Sequence, residues 1–141
     1  MKVLFLTPWY PDRTNPNHGI FVRDQAIAIS QHHDVWVVSA KIDYEHFGLS
    51  SLTRTDSTEG KVKETRIEVK QSLPVVNQAN YFLRIAAETK KIAREFNPDV
   101  IHGNIGYPGA YWAWMMSRIL RRPYVVTEHT RITNNFRSFL H

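Results

Sequence analysis

Two short segments decide the fold of this chain: DVIHGN at residues 99–104 and PYVVTEH at residues 123–129. Each is an apolar run that reaches a histidine, a pattern typical of a buried strand with polar residues at its end. Between them, residues 107 to about 122 have the composition of a helix. A strand–helix–strand unit makes its two strands parallel. His102 and His129 should therefore lie at the carboxyl ends of two strands, the edge where open α/β sheets bind ligands.

Similar segments occur throughout the preceding part of the chain. Residues 2–7 (KVLFLT) and 35–40 (VWVVSA) are continuous apolar runs, as expected for strands covered on both faces. Residues 20–31 and 77–96 indicate helices, and Pro98 ends the second. With one more strand near residue 65, the order β-α-β-β-α-β-α-β predicts an α/β fold. We expect an open, mostly parallel sheet, with strand order about 3-2-1-4-5 and helices on both faces.

Three regions give weaker signals. Residues 41–60 have mixed composition, with Ser, Thr and Asp clustered at 50–58, and we predict a mobile loop. Residues 62–69 alternate between apolar and charged side chains in their second half, which indicates a half-exposed strand at the sheet edge. Residues 130–141 carry no helix stop signal and no strand pattern. We therefore expect the chain to be a fragment of a longer protein.

Composition excludes several classes of protein. The 141 residues are 43% apolar and 22% charged, as expected for one globular domain. Zero cysteines exclude disulfides and thiolate metal sites. No apolar run approaches the ~20 residues that cross a bilayer, and no secretion signal is visible. Neither G-x-G-x-x-G nor G-x-x-x-x-G-K-[ST] occurs, so we predict no nucleotide cofactor. Because no secretion signal is visible, we predict a cytoplasmic location. We also predict no metal site.

The net charge of +5 raises the question of acidic partners. The basic residues are scattered, without a run of five like charges, so a solvated surface is the simplest interpretation. Peripheral contact with the acidic inner face of a membrane is also compatible with this charge. Nucleic acid is not expected as a partner.

Polar residues at the predicted strand ends are the candidate site. His129 follows the apolar core of the last strand, where an imidazole can bind a hydroxyl group or carry a proton. Glu128 beside it is either a base or a group that orients its neighbour. His102 and Asn104 end the preceding strand and must find hydrogen bonds, so they either bind a ligand or hold the sheet edge. Gly19, just before a helix, allows close backbone approach to an anion, or serves only the turn.

Several stretches, in this order, resemble the N-terminal domain of the retaining, two-domain GT-B glycosyltransferases of family 4. They are TPWYP at 7–11, NPNHGIFVR at 15–23, DVIH at 99–102 and PYVVTEH at 123–129. The resemblance covers essentially the whole chain. It implies that residues 1–141 form a Rossmann-like, acceptor-side domain. It also implies a C-terminal domain that holds the nucleotide sugar and carries an E-x7-E pair, neither of which this sequence contains.

The resemblance also implies roles for individual residues. Gly19 would approach the donor diphosphate, and His129 would act at the reacting centre, as the catalytic residue of this half. We assign His102, Asn104, Tyr107 and Glu128 to binding of the sugar or acceptor. The complete enzyme would be a hexosyltransferase that takes part in polysaccharide biosynthesis. It would move a sugar from a nucleotide-sugar donor to a saccharide or lipid-linked acceptor, and it would retain the configuration at the anomeric carbon. This chain alone would be inactive.

Two alternatives belong to other classes. One is a free-standing module that binds a carbohydrate or a phosphorylated ligand without chemistry. The other is a receiver-like regulatory domain, which needs an acidic cluster after the first strand and an aspartate at the end of the third. The residues at 7–9 (TPW) and 69–71 (VKQ) supply neither, so the receiver interpretation is set aside.

Overall fold

The computed structural model describes residues 1–48 and 51–129, and it contains one mixed sheet with helices on both faces. The elements are β1 (Lys2–Thr7), α1 (Ile20–Ile29), β2 (Asp34–Phe47), β3 (Leu52–Glu59), β4 (Val62–Gln71), α2 (Asn77–Phe96), β5 (Val100–Asn104), a π-helical turn (Gly106–Ala110), α3 (Tyr111–Leu120) and β6 (Tyr124–Thr127). Within these residues the strand order is β3-β4-β2-β1-β5-β6. Every neighbouring pair is parallel except β3 and β4. The α/β, Rossmann-like prediction is confirmed.

The five strands predicted from the sequence lie in the predicted order, and β3 is an addition at the edge. The expectation of a mobile loop over residues 41–60 is wrong, because β2 continues to Phe47 and β3 occupies Leu52–Glu59. β3 is polar because most of its side chains are exposed, yet its alternate threonines favour extended backbone. β4 is consequently an interior strand, paired with β2 on one side and with β3 on the other.

The core consists of two clusters, one on each face of the sheet. On one face, Leu4 and Leu6 of β1 pack with buried residues of α2 and α3, among them Trp112. On the other face, Val3 and Phe5 pack with residues of α1. Because successive side chains of a strand point to opposite faces, β1 is buried on both sides, which explains its uninterrupted apolar sequence.

The helix ends follow local sequence signals in two of three cases. α1 begins after Gly19, whose φ of 72° is left-handed, and α2 ends at Phe96, with Asn97 as its C-cap just before Pro98. The third predicted helix, over residues 107–122, is shorter than expected. Its first part is the turn Gly106–Ala110, which the extended backbone of Tyr107 (φ −122°, ψ 134°) interrupts, and Pro108 lacks an N–H group while glycine is a weak helix former.

Among the described residues, no helix combines the length and apolar composition needed to cross a bilayer. The expectation of an unfinished element over residues 130–141 lies outside the described residues.

Candidate functional site

The carboxyl end of β1 turns sharply out of the sheet. The Thr7 hydroxyl donates to the carbonyl oxygen of Trp9 at 2.8 Å, and the amide of Trp9 donates back to Thr7 Oγ1 at 3.1 Å. The chain then returns to Gly19, which packs directly on this turn. A Cβ atom at Gly19 would lie 2.5 Å from the carbonyl carbon of Trp9, and the left-handed φ also favours glycine. Gly19 therefore sets how closely the start of α1 approaches the end of β1.

His129 lies at this edge and is exposed. Its Nε2 atom is 3.2 Å from Oδ1 of Asn104, on the neighbouring strand β5. Its ring centroid is 4.2 Å from that of Phe21, in the first turn of α1 and two residues after Gly19. The backbone amide of His129 donates to Glu128 Oε1 at 2.9 Å. The structure thus brings together His129, Asn104, Glu128 and the region of Gly19.

Asn104 engages one ring nitrogen of His129 and leaves the other for a ligand. Asn104 is fully buried, and its Oδ1 lies 3.2 Å from Nε2 of His129. A proton on Nε2 completes this hydrogen bond, and Nδ1 is then the nitrogen that remains open to a ligand. Asn104 Nδ2 has no hydrogen-bond partner among the described residues, although it is buried. Gly109 leaves room for this packing, because a Cβ there would overlap the carbonyl of Asn104.

His102 lies beneath the surface of the site. It is 7% exposed, its ring packs 4.5 Å from that of Phe5, and its Nε2 is 2.7 Å from Thr127 Oγ1 on β6. Burial lowers the pKa of His102, and the nearby His129 lowers it further. His102 is therefore a neutral ring that ties β5 to β6 below His129.

Tyr107 lies on the other side of the sheet from His129. Its hydroxyl donates to Oε1 of Gln78 at 3.2 Å, and its ring centroid is 6.1 Å from that of Phe82, both on α2. Phe82 belongs to the α2 and α3 core cluster, whereas Phe21 belongs to the α1 cluster. The structure therefore does not bring Tyr107 into contact with His129 or Asn104.

An aromatic row, which the sequence did not predict, leads away from His129. Ring centroids are 4.2 Å apart from His129 to Phe21, 6.4 Å from Phe21 to Trp9, and 5.3 Å from Trp9 to His18. Trp9, His18 and Phe21 come from the stretches at 7–11 and 15–23, and His129 ends the stretch at 123–129, so the signal was present in the residue types. Their convergence depends on the return of the chain to Gly19. Such rings offer flat apolar surface to a ligand, as binding sites commonly do.

The row ends at a cleft formed by the loop after β1 together with β2 and β4. Two adjoining depressions share the four lining residues Asp12, Lys41, Arg66 and Glu68, and the larger has a volume of about 700 Å³. We call this the basic cleft. Lys41 Nζ lies 3.4 Å from Asp12 Oδ2 and 3.2 Å from Glu68 Oε1. The hydrogen bond from the Thr14 hydroxyl is the main cause that holds the pKa of Asp12 well below its usual range. Sequence reasoning missed the cleft because it treated residue 41 as loop and the strand of residue 66 as an edge.

Among the described residues, Asp43, Glu45 and His46 place possible metal-ligand atoms within 4.8 Å of one another. Glu45 and His46 are exposed near the end of β2, and His46 Nδ1 is already 2.7 Å from Asp43. These three residues do not line the basic cleft.

Comparison with models of protein families gives a match to Glycosyltransferase Family 4 over residues 18–141. Searches of curated proteins and of solved structures return no match. The matched region includes Gly19, Phe21, Asn104 and His129, the residues that meet at the carboxyl edge of the sheet. With nearly the whole chain matched and a Rossmann-like sheet in place, this chain belongs to glycosyltransferase family 4.

Proposed function

We propose that this chain is the acceptor-side domain of a retaining hexosyltransferase, with His129 at the reacting centre. The complete enzyme moves a sugar from a nucleotide-sugar donor to a saccharide or lipid-linked acceptor. The observation that supports this most is the exposed imidazole of His129, fixed by Asn104 and Phe21 next to Gly19. A C-terminal domain holds most of the donor, so the chain alone has no turnover.

The start of α1 is suited to the diphosphate of the donor. A helix N-terminus carries partial positive charge and unpaired N–H groups, which favour an anion. In α1 the amides of Ile20 and Val22 donate to the carbonyls of Asn17 and Gly19, which among the described residues leaves the amide of Phe21 for a ligand. No side chain of the described residues caps this N-terminus, and Gly19 lets it pack directly against Trp9. When the bond to the diphosphate breaks, negative charge develops on the leaving group, and this helix end stabilises it.

His129 orients the transferred sugar. Nδ1, the ring nitrogen that Asn104 leaves open, binds a sugar hydroxyl, while Nε2 is occupied by Asn104. Fixing one hydroxyl fixes the ring of the sugar relative to the acceptor, which reduces the entropy lost on reaching the transition state. In this proposal His102 and Thr127 support the strand ends beneath the sugar, and Glu128 holds the backbone of His129.

We further propose that the enzyme works in the cytoplasm and contacts the inner face of the membrane peripherally. Tyr111 and Trp114 on α3 are 44% and 45% exposed, and Arg118 follows one turn later. Exposed aromatic and basic groups on one helix suit the headgroup region of an anionic bilayer. Salt-sensitive binding to anionic vesicles would support this contact. Equal binding to neutral vesicles would contradict it.

The experiment for the main proposal uses the natural gene product that contains this chain and a panel of nucleotide sugars. We expect transfer with one donor, a product of the same anomeric configuration by NMR, and no transfer by residues 1–141 alone. Turnover by the 141-residue chain would contradict the proposed division of labour. Sugar binding without transfer by the natural protein, for every donor tested, would favour the alternative of a binding module.

A further inference from the structure

We propose that the basic cleft recognises an acidic group, a carboxylate or a phosphate, on the acceptor sugar. This inference rests on the proposed function, because it names the chemistry of the acceptor for that same site. The cleft lies at the far end of the aromatic row from His129. It borders the first turn of α1 through Arg23, but neither Gly19 nor Phe21 lines it.

The charges that line the cleft are unevenly matched. Four cationic side chains contribute to its walls, and they are Arg13, Arg23, Lys41 and Arg66. Two carboxylates, Asp12 and Glu68, line it as well. Its volume of about 700 Å³ is within the usual range for small-ligand sites and has room for a saccharide.

Both carboxylates of the cleft are already engaged. Oδ1 of Asp12 accepts hydrogen bonds from the amide and hydroxyl of Thr14 and from the amide of Asn15. Oδ2 of Asp12 and Oε1 of Glu68 both form ion pairs with Lys41 Nζ. The single positive charge of Lys41 therefore partly neutralises the negative charges of both carboxylates. Neither carboxylate pairs with Arg13 or Arg66.

Arg66 is positioned as an anchor with unused donors. Its Cζ atom lies 5.2 Å from the ring centroid of Tyr10, and its one ion pair among the described residues is a 3.5 Å contact to Glu64 Oε2. Glu64 is 6% exposed and accepts a 2.8 Å hydrogen bond from the Tyr10 hydroxyl. The guanidinium therefore rests against a ring that is itself held, and most of its five N–H groups remain available. A planar guanidinium binds a carboxylate or phosphate through two parallel hydrogen bonds.

Arg13 adds a second available cation. It is exposed, and no hydrogen bond or ion pair joins it to any described residue. Arg23 differs, because its guanidinium is committed to Glu59 through two nitrogen atoms. The cleft therefore offers one pre-positioned and one free guanidinium to an incoming anion.

A series of ring contacts connects the cleft to His129. His18 lines the smaller depression, and its ring is 5.3 Å from that of Trp9. From Trp9 the aromatic row leads through Phe21 to His129. An acceptor with its acidic group on Arg66 can lay its sugar rings along this row and extend a hydroxyl towards His129.

The test is calorimetric titration of the chain with D-glucuronate, D-glucose 6-phosphate and D-glucose at low ionic strength. We expect at least one anionic sugar to bind about tenfold more tightly than glucose, a modest value for charged hydrogen bonds. Tighter binding of glucuronate assigns the site to a carboxylate, and tighter binding of the phosphate assigns it to a phosphoryl group. Equal binding of all three sugars would overturn the inference.

Substitutions of arginines test whether the basic cleft causes the preference for the anionic sugar. Arg66→Gln and Arg13→Gln should each reduce the preference for the anionic sugar, and together they should abolish it. Arg94→Gln, an exposed arginine on α2, is the matched control and should leave it unchanged. A preference that survives the double variant, or falls equally in the control, would overturn the inference.

The two proposals can fail separately. If the natural enzyme transfers sugar in a His129-dependent reaction but shows no preference for an acidic acceptor, this inference fails and the proposed function stands. If Arg66-dependent binding of an anionic sugar is found but no donor is ever used, the proposed function fails instead.

Discussion

The two halves of the sheet present different chemistry at their carboxyl ends. On the side of β5 and β6, His102, Asn104, Thr127 and His129 form a set of polar side chains joined by hydrogen bonds. On the side of β2 and β4, Lys41, Arg66 and Glu68 form a set of ion-paired charges around a cleft. Buried polar groups such as His102 and Asn104 hold a fixed geometry, whereas exposed charges attract and select a ligand. In the function proposed above, the first set orients the transferred sugar and the second recognises the acceptor.

The largest effect is expected at Gly19, where the two halves meet. In Gly19→Ala the new Cβ would lie 2.5 Å from the Trp9 carbonyl carbon, in a backbone conformation that costs on the order of 1–3 kcal/mol for other residues. We expect roughly a hundredfold loss of turnover in the natural enzyme, because the start of α1 must move. Gly60→Ala is the control, since Gly60 also has a positive φ but its Cβ would meet nothing within 4 Å. Equal losses in both variants would mean that the contact with Trp9 is unimportant.

The second prediction concerns His129 itself. His129→Ala should reduce turnover at least tenfold, because the loss of one well-placed donor or acceptor costs about 3 kcal/mol in such sites. Since the ring is exposed, the urea midpoint should change little. His32→Ala, an exposed residue just after α1, serves as the control. Unchanged turnover in His129→Ala would remove this residue from the site.

A third prediction concerns how the stability of the half that contains β5 and β6 depends on pH. Burial holds the pKa of His102 below its ordinary value of 6.5, so the folded state keeps this ring neutral where the unfolded chain would protonate it. The stability that depends on the neutral ring is present above pH 6.5 and is lost as the pH falls below it. Urea midpoints measured at pH 7.5 and 5.5 should therefore fall on acidification, by less in His102→Gln than in the original chain. Equal falls in the two proteins would contradict this assignment.

The smallest effect is expected in the charged half. Lys41→Met removes two ion pairs, but the lysine side chain is 51% exposed, and exposed pairs contribute ~0.5 kcal/mol or less. The free energy of unfolding should therefore change little, measured by urea titration at low and at high salt. A loss above about 2 kcal/mol would show that the charges hold the fold rather than serve a ligand.

The sequence predicts the two halves unequally well. β5 and α2 follow from apolar runs and from the Asn97-Pro98 stop, because local signals and burial agree there. β6 also follows from its apolar run, but the expectation that this strand is buried is wrong: within the described residues it lies at the sheet edge, and its first three residues are exposed. β3 escaped prediction because an exposed edge strand needs no apolar face, and its threonines were outweighed by Ser and Asp. A cleft built from a loop and two strands depends on contacts between distant residues, which composition does not encode.

Some residues of the candidate site could likewise be placed from the sequence, and others could not. His129 and Asn104 could be paired from the rule that parallel strands end at one edge, since both follow strand cores. Tyr107 could not be placed, because the turn at Gly106–Ala110 decides which face its side chain reaches. The aromatic row required knowledge of how residues 8–18 fold back, and prolines alone do not specify that course.

The contact between Phe21 and His129 has a consequence for the synthesis of the protein on the ribosome. The two rings come from nearly opposite ends of the described chain, and each forms part of the other's surroundings. A chain emerging from the ribosome therefore carries α1 long before β6 exists. The proposed reaction centre is assembled only when synthesis has passed β6, so a product terminated before His129 would lack the imidazole and its contact with Phe21.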